Sequence, residues 1–201
     1  AAAARKQAGL RELQSAAESG DLEAEYRLGM SYYEGSGGAE QNDQQAFYWL
    51  DQAAEGGHIA AQYGAGLCWA GGVGTRQDFD RAAELYMAAA EQEYIPAVCE
   101  LGLCYELGRG VDRDLDKAVS LYRQAAEAGD ARALCNLGYC YYQGIGVEES
   151  NETAREQDGD PILAYMYRML HEAKSSGKSL RYEAFVQSGA RIGLYDGVRE
   201  W

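Results

Sequence analysis

The chain is short of proline and histidine, with two of each in 201 residues. Neither histidine has a second one four residues on, so no helical metal-binding pair is present. His58 falls at a turn and His171 on an amphipathic stretch. No local Ser/His/Asp or Cys/His set accompanies either of them. No apolar run approaches the roughly 20 residues that a membrane-spanning helix needs. Clusters of lysine and arginine are missing too. With 18 basic against 32 acidic residues the formal net charge is −14. That balance argues against a nucleic-acid backbone or an anionic membrane surface as partner. The five cysteines, Cys68, Cys99, Cys104, Cys135 and Cys140, are odd in number and show neither zinc spacing nor a Cys-x-x-Cys motif. Cys99 and Cys104 stand five apart, about 140° around a helix, so their thiols point apart. This usage favours a reducing compartment, and with it the cytoplasm. The start, AAAARKQ, has no initiator Met and no apolar signal core, which is compatible with a signal removed upstream.

Glycine, by contrast, is abundant at 25 residues, and it recurs in step. Gly29, Gly66, Gly102 and Gly138 follow one another at 37, 36 and 36 residues. The columns Ala24/Ala61/Ala97/Ala133 and Ala17/Ala54/Ala90/Ala126 recur with them. So do the pairs Gly35/Gly37, Gly72/Gly74, Gly108/Gly110 and Gly144/Gly146, and the aromatics Tyr32/Trp69/Tyr105/Tyr141. The extra residue of the first interval falls between Gly37 and Ala46. Self-similarity at this period is the mark of a repeat architecture.

Each unit reads as two helices. The first, such as 96–107, carries Ala97, Leu101, Gly102 and Tyr105 at helical spacing. Glycine inside a helix costs about 1 kcal/mol relative to alanine. Close approach of a neighbouring helix is the expected compensation. The Gly-x-Gly pair ends the first helix, and Asp78 and Asp114 are placed to cap the second. In "DKAVSLYRQAAEAG", Ala118, Leu121, Tyr122 and Ala125 share a face, and Gly129 closes the helix. One such pair cannot bury its own apolar face, whereas stacked copies can. The expected fold is therefore all-α, a right-handed α/α solenoid of helix–turn–helix repeats. The Gly-x-Gly pairs are turns, not phosphate loops: no strand precedes them and no Lys-Ser/Thr follows.

The pattern A-x-x-x-L-G-x-x-Y-x-x-G-x-G-V-x-x-D-x-x-K-A-x-x-L-Y-x-x-A-A-x-x-G resembles the Sel1-like repeat, a relative of the tetratricopeptide repeat. Residues 97–129 match it nearly position by position. Residues 24–57 and 61–93 match with Ala65 for Leu, Thr75 for Val and Glu93 for the last Gly, and 133–147 match as a first helix. The resemblance implies one array over 1–201. Its parts would be a leading cap helix at 4–18 and repeats at about 22–57, 58–93, 94–129 and 130–177. The fourth repeat would carry an acidic insertion at 148–160, and a degenerate C-terminal cap would follow at 178–201. The insertion, EESNETAREQDGD, has six acids and one arginine and would suit a basic partner. Its Asn151-Glu152-Thr153 has the form of a glycosylation acceptor, which carries no meaning in a reducing compartment. Pro161 suits the first turn of the helix after it. With no clear stop at Trp201, the chain reads as part of a longer array.

The resemblance also implies that first helices line a concave face that binds a protein or peptide. The residues it would present are Tyr26, Arg27, Met30, Tyr33, Tyr63, Leu67, Glu100, Leu103, Glu106, Asn136, Tyr139 and Tyr142. Cys99 and Cys135 share the Tyr26/Tyr63 column, for which packing between repeats is the competing role. Gly29, Gly66, Gly102 and Gly138 are structural. The function expected is that of a non-catalytic adaptor or scaffold, not an enzyme, with no cofactor and no metal. Two other readings are weighed against it. A hydrolase acting on cell-wall or β-lactam substrates, as discussed for some relatives, lacks a catalytic constellation here. A self-associating spacer within a larger protein would show concentration-dependent light scattering.

Overall fold

The computed structural model describes residues 2–143, and every helix and contact below lies within that span. The expectations for the acidic insertion, Pro161, His171 and the C-terminal cap fall outside it. The described residues form eight α-helices and no strand. These are α1 (Ala2–Glu18), α2 (Leu22–Glu34), α3 (Asp43–Glu55), α4 (Ile59–Gly71), α5 (Phe79–Ala90), α6 (Ile95–Leu107), α7 (Leu115–Glu127) and α8 (Ala131–Gln143). The backbone groups into two compact units that divide between Arg113 and Asp114. In the first, each helix from α1 to α6 packs on the next. In the second, α7 packs on α8. The fold is of the helical solenoid class, built of consecutive packed helix pairs.

Local chemistry explains where the helices start and stop. Asn42, Asp78 and Asp114 stand ahead of α3, α5 and α7, each accepting a backbone N–H from the first turn, as a capping side chain does. Gly35, Gly72 and Gly108 end α2, α4 and α6 in the left-handed region. Their N–H groups return to the carbonyls of Ser31, Cys68 and Cys104.

The core sits between paired helices and is made of small residues around one large one. Between α3 and α4, Leu50 of α3 is buried among Ala53, Ala54, Ala61, Ala65 and Cys68. A Cβ on Gly29 would lie 2.8 Å from Leu50 Cγ, and one on Gly66 would lie 2.5 Å from the Tyr86 ring. Both glycines are buried. They are therefore the slots that receive the large side chain of the second helix, which is the compensation expected for glycine in a helix. Gly102 and Gly138 are buried as well. Tyr86 and Tyr122 are fully buried, and Leu50 holds the corresponding place in the first pair. Tyr86 places its hydroxyl out of reach of water and of any hydrogen-bond partner among the described residues.

Gly74 and Gly110 do a second job. Both have φ near +70°, and a Cβ on either would run into the carbonyl that opens the preceding second helix, of Asp43 and Phe79 respectively. Only glycine lets the turn settle there.

Candidate functional site

The residues expected on the binding face fall at three depths. Arg27, Tyr33 and Tyr139 are exposed. Tyr26, Met30, Tyr63, Leu67, Glu100, Leu103, Glu106 and Asn136 are half-buried. Cys99 and Cys135 are buried and offer no surface. The Tyr142 side chain lies outside the described set.

Tyr26 and Tyr63 contact the residue that opens the next first helix. The Tyr26 ring stacks on His58, with centroids 4.6 Å apart and planes 21° apart. Tyr63 meets Tyr94 at 5.5 Å and Tyr86 at 6.2 Å. Both tyrosines thus bridge repeats with part of the ring and leave the rest accessible. Burial, aided by nearby acidic groups, raises the Tyr26 phenol above its ordinary value, so it is a hydrogen-bond donor at neutral pH.

His58 is a helix cap. Its Nδ1 accepts the Ala61 N–H at 3.2 Å, which leaves the proton on Nε2 for Glu23 Oε2 at 3.0 Å. Asp21 and Asp130 do the same work for α2 and α8, each accepting an N–H from three residues on. At α6 the position is Tyr94, without a side-chain cap, and Pro96 enters the first turn. The caps of the first helices run Asp, His, Tyr, Asp, a column with no common side chain and so hard to see in sequence.

A cleft opens between α1 and α2. It measures about 490 Å³. Leu10, Leu13, Tyr26 and Met30 make its apolar wall, and Lys6, Arg27 and Glu34 flank it. At the equivalent seam between α3 and α4, the residue in the place of Arg27 is Gly64. A Cβ there would already stand 3.4 Å from Leu50 Cδ2. That is ordinary van der Waals contact, whereas the Arg27 side chain lines the cleft.

Two other features bear on chemistry. All five cysteines are free and buried. Burial, with lesser contributions from nearby acids, pushes the thiols of Cys68 and Cys104 up to about 11 and that of Cys135 to about 12. These three stay protonated at neutral pH and are poor nucleophiles. Glu25 is 8% exposed, and its Oε2 has no hydrogen-bond partner among the described residues. Burial, and then the Asp21 carboxylate, raise its pKa above the usual 4.5. The same position in the next repeat is Gln62, whose Oε1 accepts from Gln92 Nε2 at 3.2 Å. Among the described residues no group of three or more His, Cys, Asp or Glu is placed to hold a metal ion. No helix among them is long and apolar enough to cross a membrane.

A family model, the Sel1 repeat, matches residues 22–58, 59–94, 95–130 and 131–156. Among solved structures the chain is similar to a Sel1 repeat protein from Oxalobacter formigenes. The two share 31% identity at a TM-score of 0.67, over 81% of this chain and 63% of that one. It is also similar to c5321, described as a protective antigen present in uropathogenic Escherichia coli strains displaying an SLR fold. There the identity is 30% and the TM-score 0.71, over 92% of this chain and 41% of that one. The chain thus spans under two thirds of the length of either protein. Cysteine rich protein B of Helicobacter pylori, 20% identical at a TM-score of 0.50 over 66% of this chain and 95% of that one, shares the fold. No curated protein matches the chain.

Proposed function

We propose, from the premise that this chain belongs to the Sel1 repeat family, that it is a non-catalytic adaptor holding a protein or peptide partner on the face of its first helices. Proteins of this family are generally repeat scaffolds that mediate protein–protein contacts. The observation that carries the reading is the surface of α2. Tyr26, Met30 and Tyr33, at i, i+4 and i+7, form one stripe that stays open in part or in full, with Arg27 beside it. Tyrosine combines a large apolar area with a hydroxyl and loses little entropy on binding, which suits it to recognition. Leu67, Leu103 and Tyr139 continue the Met30 column on later repeats, with Glu100, Glu106 and Asn136 as polar neighbours and Tyr142 as the last member of the Tyr33 column. On this reading the array runs through 1–201 with the insertion at 148–160 and a C-terminal cap at 178–201. The five buried free thiols support a reducing compartment, the cytoplasm.

The test is co-purification of the full chain with its partners, beside the Tyr33→Ala/Tyr139→Ala variant. Both side chains are exposed, so the fold is retained. Partner capture falls about tenfold or more if the tyrosines are anchors. A variant that captures the same proteins as the parent overturns the reading.

A further inference from the structure

We infer that the cleft between α1 and α2 is the anchor subsite for an acidic segment of the partner. An apolar partner side chain seats on Leu10, Leu13, Tyr26 and Met30, and a carboxylate next to it is held by Lys6 and Arg27. The inference deepens the adaptor reading and rests on it.

The charges argue it first. The chain has only 18 basic residues against 32 acidic ones, and two of the 18 line this cleft. Lys6 and Arg27 flank one cleft, and neither side chain makes an ion pair within the described residues. The acid at the cleft, Glu34, accepts a hydrogen bond from Ser36 Oγ at 3.1 Å instead. Two cations against the one acid at the cleft favour a carboxylate.

Shape argues it next. At about 490 Å³ the cleft lies within the range of ligand pockets, roughly 300 to 1,000 Å³. Its wall is apolar and its edge carries Lys6 and Arg27 against the single acid Glu34, so the complement is an apolar group with an acid beside it. A peptide, not a small acid, is the occupant, because Tyr26 and Met30 belong both to the cleft and to the stripe that leads on to Tyr33.

The experiment is selection of a phage-displayed random-peptide library on the immobilised full chain. Enriched clones are then measured against Lys6→Gln/Arg27→Gln, Lys6→Arg/Arg27→Lys and Tyr33→Ala/Tyr139→Ala. Circular dichroism checks that each variant is folded, and the two cations are exposed. The expected clones carry Asp or Glu within a few residues of Leu, Ile, Phe or Met. They weaken about tenfold with the glutamine pair, keep most affinity with the charge-conserving pair, and weaken as salt rises. Clones without acidic bias, or clones indifferent to the glutamine pair, overturn the anchor. If such clones are still lost in the tyrosine variant, the adaptor reading stands without it. Failure to enrich any clone overturns both. A single-stranded oligonucleotide that competes as well as the peptides do would assign the cations to phosphate and overturn the peptide assignment.

Discussion

The seams α1/α2 and α3/α4 are alike in plan and differ at the joint. In each, a turn glycine rests on a carbonyl of the helix before. At the α3/α4 seam it is Gly74 on Asp43, and the contact is tight enough to leave no room for a Cβ. At the α1/α2 seam the glycine is Gly38, one residue further along, with a Cβ position 3.0 Å from the Lys6 carbonyl. Gly37, aligned with Gly74 in sequence, faces only Ser31 at 3.4 Å. On the other side of the seam Gly64 is replaced by Arg27. A longer joint and a larger, charged side chain thus mark the α1/α2 seam, and both border its cleft. The lesson is that a repeat makes a binding site by departing from its own pattern, one residue at a time.

The comparison is broken most severely at Gly74. Gly74→Ala adds a Cβ at a φ of +69° and drives it into the Asp43 carbonyl. Left-handed backbone strain of about 1–2 kcal/mol adds to overpacking of about 1–3 kcal/mol. Gly37→Ala pays the first cost alone. Urea unfolding of the two variants gives the difference, and equal losses would show that the joints do not differ. Next in size is Gly64→Arg, which puts the side chain of one seam into the other. Its Cβ would stand at an ordinary 3.4 Å from Leu50, so the change gains up to about 1 kcal/mol of helix propensity, and the reciprocal Arg27→Gly loses about as much.

Smaller effects sharpen the contrast between buried polar groups. Glu25 binds its proton more tightly when folded, so its ionisation opposes folding at neutral pH. That penalty is present above the raised pKa and fades as pH falls toward the unfolded value. Glu25→Gln therefore raises the urea midpoint at pH 7, and the gain over the parent shrinks at pH 4. A gain that persisted unchanged at pH 4 would contradict the assignment. The smallest effect belongs to Tyr86→Phe. Removing an unpartnered buried hydroxyl leaves stability equal or higher by up to about 1 kcal/mol.

Much of this was legible before any coordinates. The columns Gly29/Gly66 and Gly35/Gly72/Gly108 announced helix contacts and helix ends, because only glycine meets those demands and it leaves the same letter each time. Asp78 and Asp114 were legible as caps for a similar reason. The first-helix caps were not: hydrogen-bond acceptance by Asp21, His58 and Asp130 is one role filled by different letters. Column spacing also sets a side chain's direction but not its depth. Tyr26, Cys99 and Cys135 share a column, yet Tyr26 keeps an open edge and both cysteines are covered. The cleft was hidden most deeply of all. It is bordered by Arg27, where the next unit has Gly64, and by a joint longer by one residue, and a consensus averages both away.

That longer joint has a consequence for how such chains grow. Gly37 precedes its cap Asn42 by five residues, while Gly74 and Gly110 precede Asp78 and Asp114 by four. The connection between turn and second helix is thus the place where the unit tolerates a change of length. The helices themselves are locked by glycine slots that must stay in phase. Units of equal helix length keep that phase, and in this chain the change of length between the first unit and the next falls in the connecting loop, where it leaves the glycine slots in step.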